Sequence, residues 1–498
     1  MSQPRLPALA DLSPEEAWQP WPKDQQPWDA RWAAHLLRRA GFGAPPRERG
    51  VTANAAISRF VELGCDAALE RVISEPSGAD SFESFMDQLT PENRNSYEEA
   101  QLGSEPHRAL QAWWLHRITL ASYPLRERMT LFWHNHFATS LAKVRRVGPM
   151  LKQNQLFRKH ALGSFKDLLL EVSHDAAMLL WLDSASNVKE RPNENYAREL
   201  MELFSLGVGN YSEADVREAA RAFTGWSSQN SSSNGAIDVR FQFLPDRHDS
   251  DRKTVLGQTG NWDGTDVVRI VLEQPAAGRW LAKRLYRQFV SEHPAPTEAL
   301  LEPLAQKLRE SDYQIAEAVR MILRSRLFFS QHAYRRRIKS PVDYVVGLLT
   351  QLGASASPSA LSVGVAELGQ ELFAPPSVKG WDGGPAWLNT ATLLARHNVA
   401  WSMLSGEPLV RATNDNYGRP LPSFKVDVSP RVRESTALSA SQQVTSWLEA
   451  LLQGDVPAAT RDSLEQWMTA RSASGLSSRQ LTVEFAHTLT ALPEFQLC

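Results

Sequence analysis

Apolar positions recur at helical spacing over most of this 498-residue chain. From Arg31 onward they return every three or four residues, the stripe of an amphipathic helix. The stripe runs through Ile57, Phe60, Leu63, Ala67, Leu69 and Val72, and reappears over Gln111 to Leu120 and Leu125 to Trp133. Segments 154–172 and 175–182 read as two helices or one broken helix, and 213–223 as another that starts at Tyr211 or Ser212. Helices are predicted from Thr265 to about Phe289, then over 297–310, 312–328 and 339–353, and after a Gly-rich stretch at 379–385. A final group covers 439–453, 459–471 and 477–490. Polar or small-residue stretches at 76–95, 354–362 and 406–437 read as surface excursion, linker and irregular chain. One stretch changes period: Ile237 to Phe243 alternates apolar and polar residues, as a half-buried strand does. Lys253 to Leu256 is its expected partner, with His248 and Asp249 at the hairpin tip. The expected class is mainly α, a large multi-helix globular domain with one small β-hairpin insertion near 237–256. A Pro- and Trp-rich arm (1–30) would precede a helical core (31–405), followed by an irregular linker and C-terminal helical subdomain (406–498).

Charge and composition narrow the function classes. A formal net charge of -2 gives no bulk attraction for nucleic acid or an anionic membrane, so no nucleic-acid partner is expected. Cys65 and Cys498 are too few for a disulfide framework or a cysteine metal site. The first residues show no apolar signal core, and no run is long enough to span a bilayer, so a cytoplasmic location is expected. Sixteen tryptophans serve either a bulky core or stacking platforms for sugar rings.

Candidate chemistry centres on Arg191 to Trp226. On a helix advancing about 100° per residue, Glu194, Asn195, Arg198, Glu199 and Glu202 share one arc, opposite an apolar face. The plain reading is a solvated ladder of Glu194, Arg198 and Glu202 at i, i+4 spacing. The sharper one points Asn195, Glu199 and Glu202 into a cleft as acid, base or ligand groups.

Several segments together resemble one bacterial family, the domain of unknown function 1800 family. They are PNENYARELMELFSLGVGNYSEADVREAARAFTGW, HLLRRAGFG at His35 to Gly43, FWHNHFA at Phe132 to Ala138 and SHDAAMLLWLD at Ser173 to Asp183. The stretch Phe243 to Gly257, PPSVKGWDGGPAWLNTATLLARHN at Pro375 to Asn398, and LPEFQ at Leu492 to Gln496 agree in order. The resemblance supplies no catalytic residues to carry over. It implies one partner, a protein of the domain of unknown function 1501 family, which resembles alkaline phosphatases and sulfatases and is often encoded alongside.

Other residues add chemistry of their own. Imidazoles and carboxylates bind zinc, manganese or iron, so His134, His136, His174 and Asp175 are candidate ligands of a divalent metal cofactor. Against this, an unbroken helix puts His136 in an apolar stripe and His134 roughly 160° away, and Asp175 suits an N-cap. His248 and Asp249 are candidate catalytic groups with Glu199 and Glu202; ordinary surface polarity is the alternative. KGWDGGP at Lys379 to Pro385 leads to a helix expected to start at Asn389, whose free amides would favour an anion. Lys379, Trp381, Asn389 and Arg396 are therefore candidate ligand-binding residues, with Asn195 and Trp226; a tight turn packed by Trp381 and Trp387 is the alternative. There is no HExxH, GxSxG or phosphate-loop motif. Two functions remain: a metal-assisted hydrolase or lyase acting on an anionic, phosphorylated or sulfated saccharide, and a non-catalytic scaffold or maturation partner of a neighbouring hydrolase.

Overall fold

The structure is a computed structural model that describes residues 13–21, 26–43, 53–76, 106–233, 236–409, 424, 426, 432–433 and 438–498. The predicted excursion at 76–95 and much of 406–437 lie outside the described residues. Helices dominate, with two small antiparallel sheets. Their ends are written locally in the sequence. Ser212, Ser340, Asn389, Ser439 and Ser477 each cap a helix with a reciprocal bond from the third residue on. Proline opens the helices Pro124–His136, Pro275–Phe289, Pro341–Leu352 and Pro358–Glu367, where its missing N–H costs nothing.

Two local expectations are corrected. Helix Pro358–Glu367 begins inside the stretch read as a linker, since its small residues Ala360, Ser362 and Gly364 pack closely while Leu361 and Val365 fill the core. The strand Ala236–Phe243 pairs with Trp226–Ser233, from Trp226 opposite Phe243 to Ser233 opposite Ala236. Lys253–Val255 pairs instead with Gln258–Gly260. There are thus two hairpins, and the partner WSSQNSSS escapes pattern reading because it is held by backbone pairing and carries no alternation. The sequence does contain Asn234-Gly235 between the two strands, a strong hairpin signal.

Besides a small one around Ala33, Leu37 and Ile57, two large buried clusters form most of the described interior. One gathers the first helices with residues 123–334, and the other packs Pro341–Leu352 against the C-terminal helices. Trp18 and Trp21 are buried on the first, where Trp18 Nε1 donates to Leu300 O at 2.7 Å and Trp21 meets Trp32 and Phe329 edge-on.

Helix Pro124–His136 runs between the clusters and is anchored by a buried charge cluster. Glu127, 1% exposed, accepts from Nε and Nη2 of Arg158 at 2.6 and 2.9 Å, from Arg117 Nε at 3.3 Å and from Trp114 Nε1 at 3.1 Å. These bonds tie it to the helices Pro106–Leu120 and Val147–Lys159 and fix the histidines at its far end. Among the described residues, no helix is long and apolar enough to cross a membrane.

Candidate functional site

The helix Pro275–Phe289 organises the site. It carries Arg279, Lys283, Arg284 and Arg287 and no carboxylate. Leu281, Ala282, Leu285 and Phe289 face the core, and Gly278 lets the helix Glu298–Glu310 approach, since a Cβ there would sit 3.1 Å from Ala305 O. The cations are left on the other side, where they line a cleft of about 870 Å³. Across from them stand His136, Glu202, Lys379 and the loop Trp381 to Ala386. Five cationic side chains and three carboxylates line this space.

Arg284 is the least compensated of these groups. Among the described residues it has no ion pair or hydrogen bond, and its Nε is buried without a partner. Burial, with Arg287 nearby, lowers its pKa to about 10. Among the described residues Arg287 reaches only the carbonyl of Asp382, at 3.4 Å. Buried charge normally carries a counter-ion within the protein, so the Arg284 guanidinium is placed for one that the described residues do not supply.

The opposite wall is built by the central stretch. Asn195–Glu199 is α-helical, but Leu200–Ser205 forms a π-helical turn. The wider turn breaks the i, i+4 register after Glu199. Arg198 therefore pairs with Glu194 at 2.9 Å and with Glu213 at 2.8 Å, and Glu202 instead accepts from Tyr211 Oη at 3.2 Å. The predicted ladder holds for its first rung only, and Glu202 is released into the cleft. Beside it Glu199 has a raised pKa, first through burial and then through the charge of Glu202, with Lys379 opposing. The final carbonyls of this helix have no helical partner and are used by the cleft. Leu203 O accepts from Trp280 Nε1 at 3.0 Å, and Phe204 O bonds His136 Nε2 at 2.9 Å. Gly207, at φ 82°, ends the turn against the Trp280 ring, which a Cβ would meet at 2.8 Å.

That carbonyl fixes the chemistry of His136. A carbonyl only accepts, so Nε2 carries the proton and Nδ1 holds a bare lone pair, buried without a partner in the cleft floor. Burial and then the Arg284 charge hold the ring neutral, with a pKa near 3. His134 is the opposite tautomer, because its Nε2 accepts the Phe373 N–H at 3.0 Å. Both histidines lie in one continuous helix and point to different partners.

The KGWDGGP loop forms the third wall. Asn135 clamps it, accepting Trp381 N–H at 2.7 Å and donating to Trp381 O at 3.3 Å. Gly383 has φ 78°, and a Cβ there would lie 2.8 Å from Glu292 Oε1.

The cleft thus unites four of the predicted residues: His136, Glu202, Lys379 and Trp381, with Glu199 alongside. The other candidates lie elsewhere. His174 stacks on Trp226 and Phe241 at 4.4 and 4.2 Å, and Asp175 caps Ala176–Trp181 while accepting from Gln153 at 2.7 Å. Asn195 is exposed at its helix start. His248 Nδ1 donates to Thr224 O at 2.9 Å, and Asp249 pairs with Arg221 at 2.7 Å. Asn389 spends its side chain on Thr392 N–H at 3.0 Å, and buried Arg396 donates to Gln496 Oε1 at 3.1 Å and to Lys339 O. A metal centre needs several such donors at one point. Among the described residues no group of three or more His, Cys, Asp or Glu is so gathered. A second, more apolar cavity of about 780 Å³ near Phe60 and Leu63 is lined by none of the candidates.

The helix Pro275–Phe289 itself was predicted, but its cations were not among the candidate residues. Arg279, Lys283 and Arg287 stand at i, i+4 and i+8, Trp280 and Arg284 at i and i+4, without one acidic residue to pair them. An amphipathic helix with a purely cationic polar face was the available signal.

Such a framework defines a mainly helical protein with a basic cleft faced by carboxylates and a neutral histidine. The chain belongs to the family described as Protein of unknown function (DUF1800), which it matches over residues 35–497. No curated protein and no solved structure matches it.

Proposed function

We propose that the cleft binds an anionic saccharide-type substrate, phosphorylated or sulfated, and that the protein is a hydrolase or lyase acting on it. The observation that carries this reading is the pair of uncompensated guanidinium groups, Arg284 and Arg287, opposite Glu202 and His136. Cations in a partly desolvated wall bind an oxyanion more strongly than the same groups in water. Trp280 offers a half-buried ring to a sugar. Burial, and then the charge of Glu202, raise the proton affinity of Glu199, and a carboxyl so raised beside a second carboxylate is suited to acid or base work. The predicted donors do not fit a common metal centre, so the acid–base groups of the chain carry this reading.

The test is calorimetric titration with phosphate, sulfate and phosphorylated or sulfated monosaccharides, against chloride at matched ionic strength, followed by product analysis. Binding with product formation lost in Glu202→Gln supports the proposal. Binding no stronger than chloride, with no product, would favour the scaffold or maturation role beside a phosphatase- or sulfatase-like protein of the domain of unknown function 1501 family.

A further inference from the structure

We infer that the ligand enters charge first, placing a single terminal tetrahedral oxyanion in a small chamber behind the cleft while its body remains in the cleft. This inference rests on the reading of the cleft as an anionic-substrate site and adds where the charge sits and what shape of ligand follows. The chamber has a volume of about 90 Å³ and shares Arg284, Arg287, Trp381, Asp382 and Gly383 with the cleft, so the two spaces adjoin. It is about a tenth of the cleft in volume, room for a few waters and so for a phosphate or sulfate group.

Its charges point the same way. Four guanidinium groups line it, from Arg128, Arg284, Arg287 and Arg337. Arg128 is matched by Asp343 at 2.5 Å and Arg337 by Glu292 at 3.5 Å. Arg284 and Arg287 have no carboxylate within ion-pair distance among the described residues, and Asp382, which is exposed, meets Arg287 only through its carbonyl. Two unmatched cations suit a phosphate monoester, which carries about two negative charges at neutral pH. The Glu292 carboxylate lies against Gly383 and Gly384 in the chamber wall, so a second anionic group following the first would meet its charge. The site is therefore built for a chain end or a monosaccharide ester, not for an internal stretch of a charged polymer.

Calorimetry on the full chain with inorganic phosphate, glucose 6-phosphate, glucose 6-sulfate and dextran sulfate separates the outcomes. Wild type should bind phosphate and glucose 6-phosphate at one site per chain. Arg284→Gln should weaken both at least tenfold, Arg287→Gln should weaken them as well, and Lys379→Ala should change them less than threefold. A stronger response to glucose 6-sulfate would identify sulfate as the seated group by the same contacts. If Arg284→Gln and Arg287→Gln retain wild-type affinity while Lys379→Ala loses it, or dextran sulfate binds and the small esters do not, the anion lies in the outer cleft. The chamber inference then falls and the cleft reading stands. If none of the four probes binds above the chloride control, both fall.

Discussion

Arg284→Met should make the protein more stable and less able to bind anions. At neutral pH the native state keeps this guanidinium charged although burial and Arg287 hold its pKa near 10 rather than 12.5. At 1.36 kcal/mol per pK unit that is a penalty on the order of 3 kcal/mol. Halving it for residual solvent contact in the cleft leaves about 1–2 kcal/mol, which methionine, of similar length and without charge, should recover. Urea unfolding followed by tryptophan fluorescence, in chloride alone, measures the gain as a rise in midpoint at constant slope. Repeating it in phosphate measures the loss, because a ligand that binds only the native state stabilises it in proportion to the logarithm of its saturation. Wild type should gain stability from phosphate, and the variant should not. A variant less stable than wild type by more than about 1 kcal/mol in chloride would refute the reasoning, because Arg284 would then be an ordinary structural residue.

Three further expectations concern the surrounding framework. Glu127→Gln should cost about 3–5 kcal/mol at pH 7, because it strands Arg158 and Arg117 in the interior. Burial raises the Glu127 carboxyl, but the charge and hydrogen bonds of Arg158, the charge of Arg117 and the Trp114 bond together outweigh it, leaving a pKa of about 2; its contribution is thus present above its unfolded value, and the gap between wild type and variant should narrow as pH falls from about 4.5 toward 2 in pH-dependent urea unfolding. Asp175 shows the opposite sign: burial raises its pKa to about 7, so its contribution is complete below its unfolded value and lost as pH rises through 7. Asp175→Asn, which keeps the cap, should flatten the stability profile between about pH 4 and 7, and an unchanged slope would count against this assignment. Gly383→Ala places a Cβ against Glu292 at a positive φ and should reduce phosphate affinity in calorimetry more than it lowers the melting temperature.

Helical class, most helix starts and the family were legible because caps, prolines and apolar spacing are local signals. The site was legible only in part. Glu202 and Lys379 were found by their residue types, yet what separates Glu202 from an ordinary ladder is a π turn at Leu200 that periodicity treats as α. His134-x-His136 reads as a symmetric pair, but one ring accepts from a backbone amide and the other donates to a carbonyl some 70 residues downstream, contacts that exist only after folding. Arg284 belongs to a legible cationic face, but its lack of a counter-ion was invisible for a related reason. Its neighbours in sequence are those of a solvated helix face, and its lack of a counter-ion depends on which elements pack around it.

The π turn also makes chain length at this point a chemical variable. A π turn spends an extra residue to cover the rise of an α turn, so deletion of Met201 would let the segment rewind as continuous α-helix. The chain beyond Ser205 would keep nearly its present direction, because an α turn covers the same rise with one residue fewer, and the change would fall on the residues inside the turn. Glu202 would swing away from Tyr211, and the carbonyls that receive Trp280 and His136 would be aimed elsewhere. Rewinding could thus preserve local helicity while dismantling the cleft wall. Substitutions that keep the residue count are the gentler perturbation here, and a homologue one residue shorter between Tyr196 and Gly207 should differ in ligand even if every charged residue is retained.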